Sequence, residues 1–258
     1  MRKLQLLLTS LLLLCACASV HAQRHAARKT DSNYFARARQ LVLVTTADWD
    51  AVAGSLQCYE RKSAKAKWQP VGARIAVVVG GKGLGWGVGL HELSGDGPVK
   101  REGDGKAPAG IFKLSAAFGY APAHEARWLK LPYLPLDANT ECVDDVKSAN
   151  YNLILDKSRV PRVDWNSSER MREVEGYRWG IVVAHNAAPP VPGKGSCIFL
   201  HIWRGPDKGT AGCTAMEQPN LETLMRWLDP KKHPVLVQLP AAEYTRLQTS
   251  WQLPRAND

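Results

Sequence analysis

The sequence lacks the signatures of two large enzyme classes. No G-x-S-x-G motif occurs, which disfavours a serine hydrolase of the α/β type. The glycine-rich segment Gly80–Gly89 follows a predicted strand, but no placement within it gives G-x-G-x-x-G and no helical pattern follows it. This segment therefore predicts a twisted β-hairpin or a surface loop rather than a dinucleotide site. No internal repeat is visible either.

Acidic residues are in deficit, with 24 Asp and Glu against 34 Lys and Arg and a formal charge of +10. Basic patches interleaved with aromatic residues are missing, so no nucleic-acid partner is predicted. The charge instead suits a polyanionic surface such as a cell wall or an anionic membrane. No cofactor and no metal are predicted, because the adjacent Asp144 and Asp145 have no histidine near them in sequence and no Asp/Asn ladder follows. We expect this pair to cap turns or to support neighbouring residues.

Long apolar runs are also missing, since the run at residues 6–14 is too short to span a bilayer as a helix. A basic start precedes this run and a plausible cleavage site follows it, so residues 1–22 are predicted to be a signal peptide. An alternative is the Leu-Cys-Ala-Cys sequence that ends at Cys17 and resembles a bacterial lipobox. In that case Cys17 would carry a lipid anchor in the membrane. Both alternatives predict export, to the periplasm or cell envelope.

The chemistry is concentrated in residues 199–216, in the C-terminal third. His201 follows an apolar run and is predicted to end a buried strand, and Cys213 stands directly behind Gly212. A cysteine attacks carbonyls as the thiolate, which a nearby imidazole can supply at neutral pH. A glycine before it lets the chain turn tightly, so that consecutive N–H groups converge on an oxyanion. The stretch predicts a cysteine acyl-transfer enzyme with Cys213 as nucleophile and His201 as base.

Cysteine pairing remains open on these grounds. If Cys213 is a free nucleophile in an oxidising compartment, three cysteines remain after residue 22, enough for one disulfide and one spare thiol. Cys142 and Cys197 both flank the predicted catalytic region and could pair. Alternatively, these two and Cys58 are all small buried apolar residues.

Strand patterns dominate the rest of the chain, so the fold class is predicted to be mostly β (α+β). Strands are predicted at residues 41–46, 55–61, 73–79, 111–114, 179–186, 196–203 and 235–239. Helical spacing after Asn220 predicts one helix, which Pro230 stops, and Asn166–Met171 resembles a helix start. Residues 115–140 carry several prolines and predict an irregular segment that could act as a lid or cap.

Three motifs together resemble the L,D-transpeptidase (YkuD-type) catalytic domain family. They are Gly105–Phe112, where Ala107 replaces the family's threonine, then Phe199–His201, and then Thr210–Cys213. The resemblance implies a YkuD-like β-sandwich or barrel, with one or two short helices, around a cradle that holds the cysteine. The chain is predicted to consist of a signal peptide at residues 1–22, a basic N-terminal segment at 23–40, an L,D-transpeptidase-like catalytic domain at 41–240 and a C-terminal tail at 241–258.

The resemblance also implies the reaction. Family members attack a peptidoglycan tetrapeptide stem between its third residue and the terminal D-Ala. On this chain Cys213 would form the thioester and His201 would take its proton, with the N–H groups of Gly212 and Cys213 as oxyanion donors and Thr210 shaping the turn. An amine from a second stem would then give a 3→3 cross-link, whereas water would make the enzyme a carboxypeptidase or endopeptidase. The implied partner is the peptidoglycan stem peptide.

The chain departs from the family pattern around this motif. Ala211 stands where many members have a second histidine, and Thr214–Met216 stands where many have an arginine. Residues predicted to bind substrate are His185, Asn186, Trp203 and Arg204, although for His185 the pattern favours a satisfied strand-end histidine. An NlpC-type peptidase is disfavoured because its cysteine precedes its histidine. A noncatalytic wall-binding protein, with Cys213 in a disulfide, remains the alternative to an enzyme.

Overall fold

The structure is a computed structural model that describes residues 34–92 and 95–255. The predicted signal peptide of residues 1–22, including Cys17, lies outside the described residues. Most of the basic segment 23–40 also lies outside them, apart from a short helical stretch before the first strand. Within the described part of the chain, no helix has the length and apolar character needed to cross a membrane.

Strands make up most of the regular structure, which confirms the predicted mostly β class. The strands are β1 (Gln40–Thr46), β2 (Ala53–Glu60), β3 (Gln69–Val78), β4 (Leu84–Trp86), β5 (Ala107–Gly119), β6 (Tyr133–Pro135), β7 (Thr140–Val143), β8 (Ile154–Asp156), β9 (Ser168–Arg170), β10 (Trp179–Val183), β11 (Phe199–Ile202), β12 (Thr214–Met216) and β13 (Val235–Pro240). The α-helices with defined bounds are α1 (Gln218–Trp227) and α2 (Ala241–Leu247). Short 3-10 turns lie at Lys157–Arg159, Met171–Glu173, Glu175–Arg178 and Pro230–Lys232.

The main sheet closes on itself among the described residues. Its order is β10-β11-β12-β3-β2-β1-β13-β5, and β5 then pairs back with β10. Closure is possible because β5 is 13 residues long. Its first half pairs with β13, and its second half pairs with β10 across a register shift. Closing the sheet in this way removes the exposed edges that an open sheet would present.

The parallel pair β1 and β13 explains why two of the predicted strands are nearly continuous apolar runs. Every residue of β13 is buried, and in β1 only Thr45 is partly exposed. Strands buried on both faces lose the alternation of polar and apolar residues. Strand predictions at residues 41–46, 55–61, 73–79, 111–114, 179–186, 196–203 and 235–239 are confirmed, with ends that shift by a few residues.

An insert between β5 and β10 carries a separate small sheet of order β8-β7-β9. A disulfide joins Cys142 on β7 to Cys197, just before β11, which confirms the pairing that was one of two open alternatives. Asp145 caps turns, as expected, by accepting hydrogen bonds from the N–H groups of Lys147 and Asn166 at 2.9 and 2.8 Å. The disulfide therefore fastens the small sheet to the strand that carries His201.

Several local predictions are wrong. Asn166–Met171 does not start a helix, because residues 168–170 form β9 and pair with β7. Helix α1 begins at Gln218 with Glu217 at its N-cap position, ahead of the predicted cap Asn220, because Pro219 occupies the first turn, where its missing N–H costs nothing. Residues 115–140 are not wholly irregular, since they include the end of β5 and all of β6.

The glycine-rich segment and the C-terminal segment also take defined forms. An antiparallel bridge between Gly80 and Gly83 closes a tight turn, and β4 then pairs in parallel with β5, so the segment is not a two-stranded hairpin. In the segment 241–258, predicted as a tail, α2 packs on the barrel, and its Leu247 belongs to the main core together with Leu253.

Candidate active site

Cys213 lies at the start of β12, where β12 runs parallel to β11. The register pairs Leu200 with Thr214, which puts Cys213 beside Phe199. The N–H of Phe199 donates to Cys213 Sγ at 3.3 Å, and the thiol donates to the Cys197 carbonyl oxygen at 3.5 Å. The thiol is therefore held by the backbone of the neighbouring strand. It is a free thiol, so the noncatalytic alternative that paired it in a disulfide loses its main support.

The turn before Cys213 is fixed by Thr210. The Thr210 hydroxyl accepts a hydrogen bond from the Gly212 N–H at 3.1 Å and donates to the Cys213 carbonyl oxygen at 2.6 Å. The first of these bonds engages the Gly212 N–H, which is one of the two predicted oxyanion donors. The Cys213 N–H has no hydrogen-bond partner within the described residues. The resting turn therefore offers one free backbone donor beside the thiol.

Burial sets the protonation states of both predicted catalytic side chains. Only 6% of Cys213 is exposed, and its burial raises the pKa of the thiol to about 12, with the charge of Glu169 acting in the same direction. Burial lowers the pKa of His201 to about 4, and the nearby charge of Arg204 adds to this. At neutral pH the resting site therefore contains a neutral thiol and a neutral imidazole.

His201 lies on β11, and one of its two ring nitrogens is hydrogen-bonded to the backbone. Its Nδ1 lies 2.8 Å from the Ile202 carbonyl oxygen, which assigns the proton to Nδ1 and leaves a lone pair on Nε2. Gly176 packs against this bond, since a Cβ there would lie 2.6 Å from the Ile202 oxygen and 3.0 Å from His201 Nδ1. Only glycine fits here, so Gly176 helps to position the imidazole.

His201 and Cys213 are near in the sheet but are not hydrogen-bonded to each other within the described residues. Phe199, the neighbour of Cys213, and His201 are two positions apart on β11, so their side chains leave the same face of the sheet. Catalytic hydrogen bonds are often loose before substrate binds. The role of His201 as base therefore stays a prediction.

The side chains of His185 and Asn186 are buried and hydrogen-bonded to the backbone of neighbouring loops. His185 Nδ1 accepts from the Val88 N–H at 3.3 Å, and its Nε2 contacts the Lys194 carbonyl oxygen at 2.9 Å. Asn186 donates to the carbonyl oxygens of Val191 and Gly195 at 2.9 and 3.0 Å. These contacts favour the satisfied strand-end interpretation of His185, because both of its ring nitrogens have backbone partners, one at Val88 and one at Lys194.

Trp203 and Arg204 lie at the rim of the site. Trp203 is half-buried, and its backbone N–H donates to the Met216 carbonyl oxygen at 2.9 Å. Arg204 is exposed, and its charge acts on His201. Of the predicted substrate-binding residues, these two are the ones that a ligand could reach without displacing the loop at residues 187–195.

Two residues that the sequence interpretation missed lie near the catalytic strands. Tyr177, on the 3-10 turn before β10, donates to Glu169 Oε2 at 2.5 Å, and it belongs to the same buried cluster as Cys213. The Tyr177 ring meets the His201 ring edge-on, with centroids 5.2 Å apart. Nothing local in the sequence marks Glu169, although the possible Cys142–Cys197 pairing indicated that the insert lies near the site.

The half-buried carboxylate of Glu102 supports the loop that precedes β11. Glu102 Oε2 accepts from the hydroxyls of Tyr151 at 2.5 Å and Ser196 at 2.7 Å, and the Gly195 N–H donates to Tyr151 at 3.1 Å. Lys100 is buried nearby, paired with Asp104 at 2.6 Å. No group of three or more potential metal ligands occurs in residues 34–92 and 95–255.

This chain is similar to a known domain family and to a solved structure. The family model YkuD, described as L,D-transpeptidase catalytic domain, matches residues 56–237. A search of curated proteins finds no match. A similar solved structure is that of the helical cell shape determining protein Pgp2 from Campylobacter jejuni, with 15% identity and a TM-score of 0.39. The match covers 78% of this chain and 48% of Pgp2, so this chain spans about half the length of that protein.

Proposed function

The chain belongs to the YkuD family of L,D-transpeptidase catalytic domains, and from that premise we propose an exported cysteine acyltransferase that acts on peptidoglycan stem peptides. The observation that carries the proposal is the turn at residues 210–213. It holds a free thiol beside an unpartnered backbone N–H, in the part of the chain that the family model matches. A thiol and a donor so placed suit attack on a carbonyl and stabilisation of the resulting oxyanion.

The reaction has two stages. Cys213 attacks the stem carbonyl that precedes the terminal D-Ala, forms a thioester and releases D-Ala. An amine from a second stem then attacks the thioester, giving a cross-link and restoring the thiol. His201 acts as a base, since its Nε2 lone pair can accept a proton from an entering nucleophile. Arg204 and Trp203 contact the substrate at the rim.

Export to the periplasm or cell envelope is part of the proposal. The Cys142–Cys197 disulfide supports it, because disulfides persist in oxidising compartments and are rare in a reducing cytosol. The basic composition, with a formal charge of +10, also suits a polyanionic wall. Lipid anchoring through Cys17 is an alternative to release by signal cleavage.

The reaction is tested by incubating purified protein with tetrapeptide muropeptides and recording product masses. We expect a cross-linked dimer and free D-Ala, because the thioester is passed to a stem amine. Loss of D-Ala without a dimer would identify water as the acceptor and give a carboxypeptidase. Binding of muropeptides without any new mass would contradict the proposal and favour a wall-binding protein.

The role of His201 is tested by His201→Ala. We expect muropeptide turnover to fall by about 10²-fold or more, the usual contribution of a positioned acid–base group. His124→Ala is the matched control, because the His124 side chain is 68% exposed and pairs with the exposed Glu125. Turnover that survives in His201→Ala at the level of the control would show that His201 is a structural residue.

A further inference from the structure

A basic pocket lies at one end of the barrel, between the β2–β3 turn and the segment that follows α2. Its volume is about 340 Å³, and none of the described residues that line it is acidic. The basic side chains that line it are Arg61, Lys65, Lys67 and Arg255. Four positive charges around one cavity create a potential that attracts an anion.

Arg61 is the buried cation of this pocket. Only 7% of the residue is exposed, and its guanidinium carbon lies 4.3 Å from the centre of the Trp68 ring. Its Nε and Nη2 donate to the carbonyl oxygens of Ala38 and Ala36 at 2.6 and 3.1 Å. Across residues 34–92 and 95–255, no carboxylate pairs with Arg61, and its Nη1 has no hydrogen-bond partner. A buried charge without a counter-ion is costly, so an anion bound at Nη1 would stabilise it.

The backbone around the pocket is fixed by its own hydrogen bonds. Trp68 Nε1 donates to the Gln252 carbonyl oxygen at 3.0 Å, which ties the β2–β3 turn to the C-terminal segment. The Leu253 N–H donates to the Gln248 carbonyl oxygen at 2.9 Å, and the Leu253 side chain belongs to the main core. A preorganised site loses little conformational entropy when a ligand binds, which favours affinity.

The pocket and Cys213 lie at opposite ends of β3. The β2–β3 turn leads directly into β3 at Gln69, whereas at the other end Val78 pairs with Ala215 of β12, two residues after Cys213. The 10 residues of β3, at about 3.3 Å each, place the pocket roughly 30 Å from the thiol. A fully extended tetrapeptide spans at most about 14 Å, so a stem bound at Cys213 does not reach the pocket.

Relying on the proposed function, we propose that this pocket binds a carboxylate of a second stem peptide while a first stem occupies Cys213. The carboxylate accepts hydrogen bonds from Arg61 Nη1, and the exposed Lys65 and Arg255 neutralise its charge. A pocket of about 340 Å³ is larger than a single ion needs and suits a small organic group, so it also holds the residues next to the carboxylate. Binding two stems of one polymer raises the effective concentration of the enzyme at its substrate.

A membrane surface suits the pocket less well. Proteins that lie on membranes insert exposed apolar side chains into the lipid interface. The large apolar residues of this pocket, Trp68 and Leu253, are both buried. The observations therefore favour a carboxylate of the wall over a lipid headgroup.

The test measures co-sedimentation of the full chain with purified peptidoglycan, in a Cys213→Ala background that prevents turnover. Lys65→Gln/Arg255→Gln removes two exposed charges of the pocket. We expect Kd to rise about tenfold, the size of one lost hydrogen bond to a charged group. Amidation of the peptidoglycan carboxylates should raise the Kd of the protein with an intact pocket by a similar factor, and should leave the Kd of the double variant nearly unchanged.

Lys62→Gln/Lys130→Gln is the matched control. It removes the same total charge from two exposed side chains outside the pocket, one of them in the same β2–β3 turn. Its Kd should equal that of the Cys213→Ala parent. Melting temperatures show whether each variant is folded.

Equal Kd values for the pocket variant and the control variant would overturn the proposal. So would a pocket-dependent Kd that amidation leaves unchanged. Pocket-dependent binding to vesicles of phosphatidylglycerol, without binding to peptidoglycan, would assign the site to a headgroup phosphate and overturn it too. Tighter binding by a chain that ends at Arg255 would assign the pocket to residues 256–258, with the same consequence.

Turnover of muropeptides by the protein with Cys213 intact is measured separately. Pocket-dependent binding without turnover refutes the proposed function alone. Turnover with equal Kd values for the pocket and control variants refutes the second site alone.

Discussion

Replacing Cys213 by alanine is expected to reduce muropeptide turnover by on the order of 10⁴-fold or more. The thiol is the atom that forms the thioester, and loss of a nucleophile removes the whole covalent route. The fold should persist, because the change deletes one sulfur and its hydrogen bonds to the Phe199 N–H and the Cys197 carbonyl oxygen. Initial rates with purified muropeptides, together with the melting temperature, measure both effects.

Two further variants test whether the loss of turnover is specific to the Cys213 thiol. Cys58→Ala removes the other free thiol, which is buried on β2, and should keep full turnover. Cys213→Ser can keep the hydrogen bonds to the neighbouring strand but offers a weaker nucleophile, so it should be folded and nearly inactive. Turnover of Cys213→Ala at the level of Cys58→Ala would eliminate the thioester mechanism.

Removing the disulfide is expected to give the largest loss of stability. Cys142 and Cys197 are 55 residues apart in sequence, and closing a loop of that length in the unfolded chain is worth about 4 kcal/mol. The double variant Cys142→Ala/Cys197→Ala should lower the free energy of unfolding by about this amount. Urea denaturation at constant pH measures it.

The same double variant should also lose turnover, by about tenfold or more, because displacing a catalytic group by about 1 Å costs on this scale or more. Cys197 supplies the carbonyl oxygen that accepts the hydrogen bond of the Cys213 thiol, and the disulfide ties that part of the backbone to the insert. Reductant should reproduce both effects in the wild type and have no effect on the double variant, which serves as its control. Equal stability and turnover in the wild type and the double variant would show that the insert is held in place by packing alone.

Most strands of the barrel could be predicted from the sequence, and His201 and Cys213 could be singled out as candidates. Both predictions depend on local sequence patterns. Runs of β-branched residues predict β1, β3 and β13, and the order of a strand-end histidine and a Gly-Cys pair predicts His201 and Cys213. Closure of the sheet through β5 and β10 was not predicted. That pairing depends on a register shift between distant segments, which no local pattern records.

Glu169 and Tyr177 could not be found for a related physical reason. Asn166–Met171 has the residues of a helix start, but pairing of β9 with β7 overrides this local preference. Glu169 lies near the site because the disulfide and the Tyr177 hydrogen bond hold β9 against the barrel, and both are contacts between segments far apart in sequence. His185 and Asn186 resembled site residues because they follow a strand beside the site, yet their side chains are hydrogen-bonded to the backbone of Val88 and of the following loop.

The central claim, that Cys213 carries the acyl group, is tested most directly by the mass of the protein itself. Wild-type protein mixed briefly with a tetrapeptide muropeptide and quenched in acid should gain the mass of the muropeptide less D-Ala. Peptide mapping should place this mass on the fragment that contains Cys213, and hydroxylamine should remove it as a thioester. Full turnover of the muropeptide with no adduct, or an adduct on any other residue, would contradict the account.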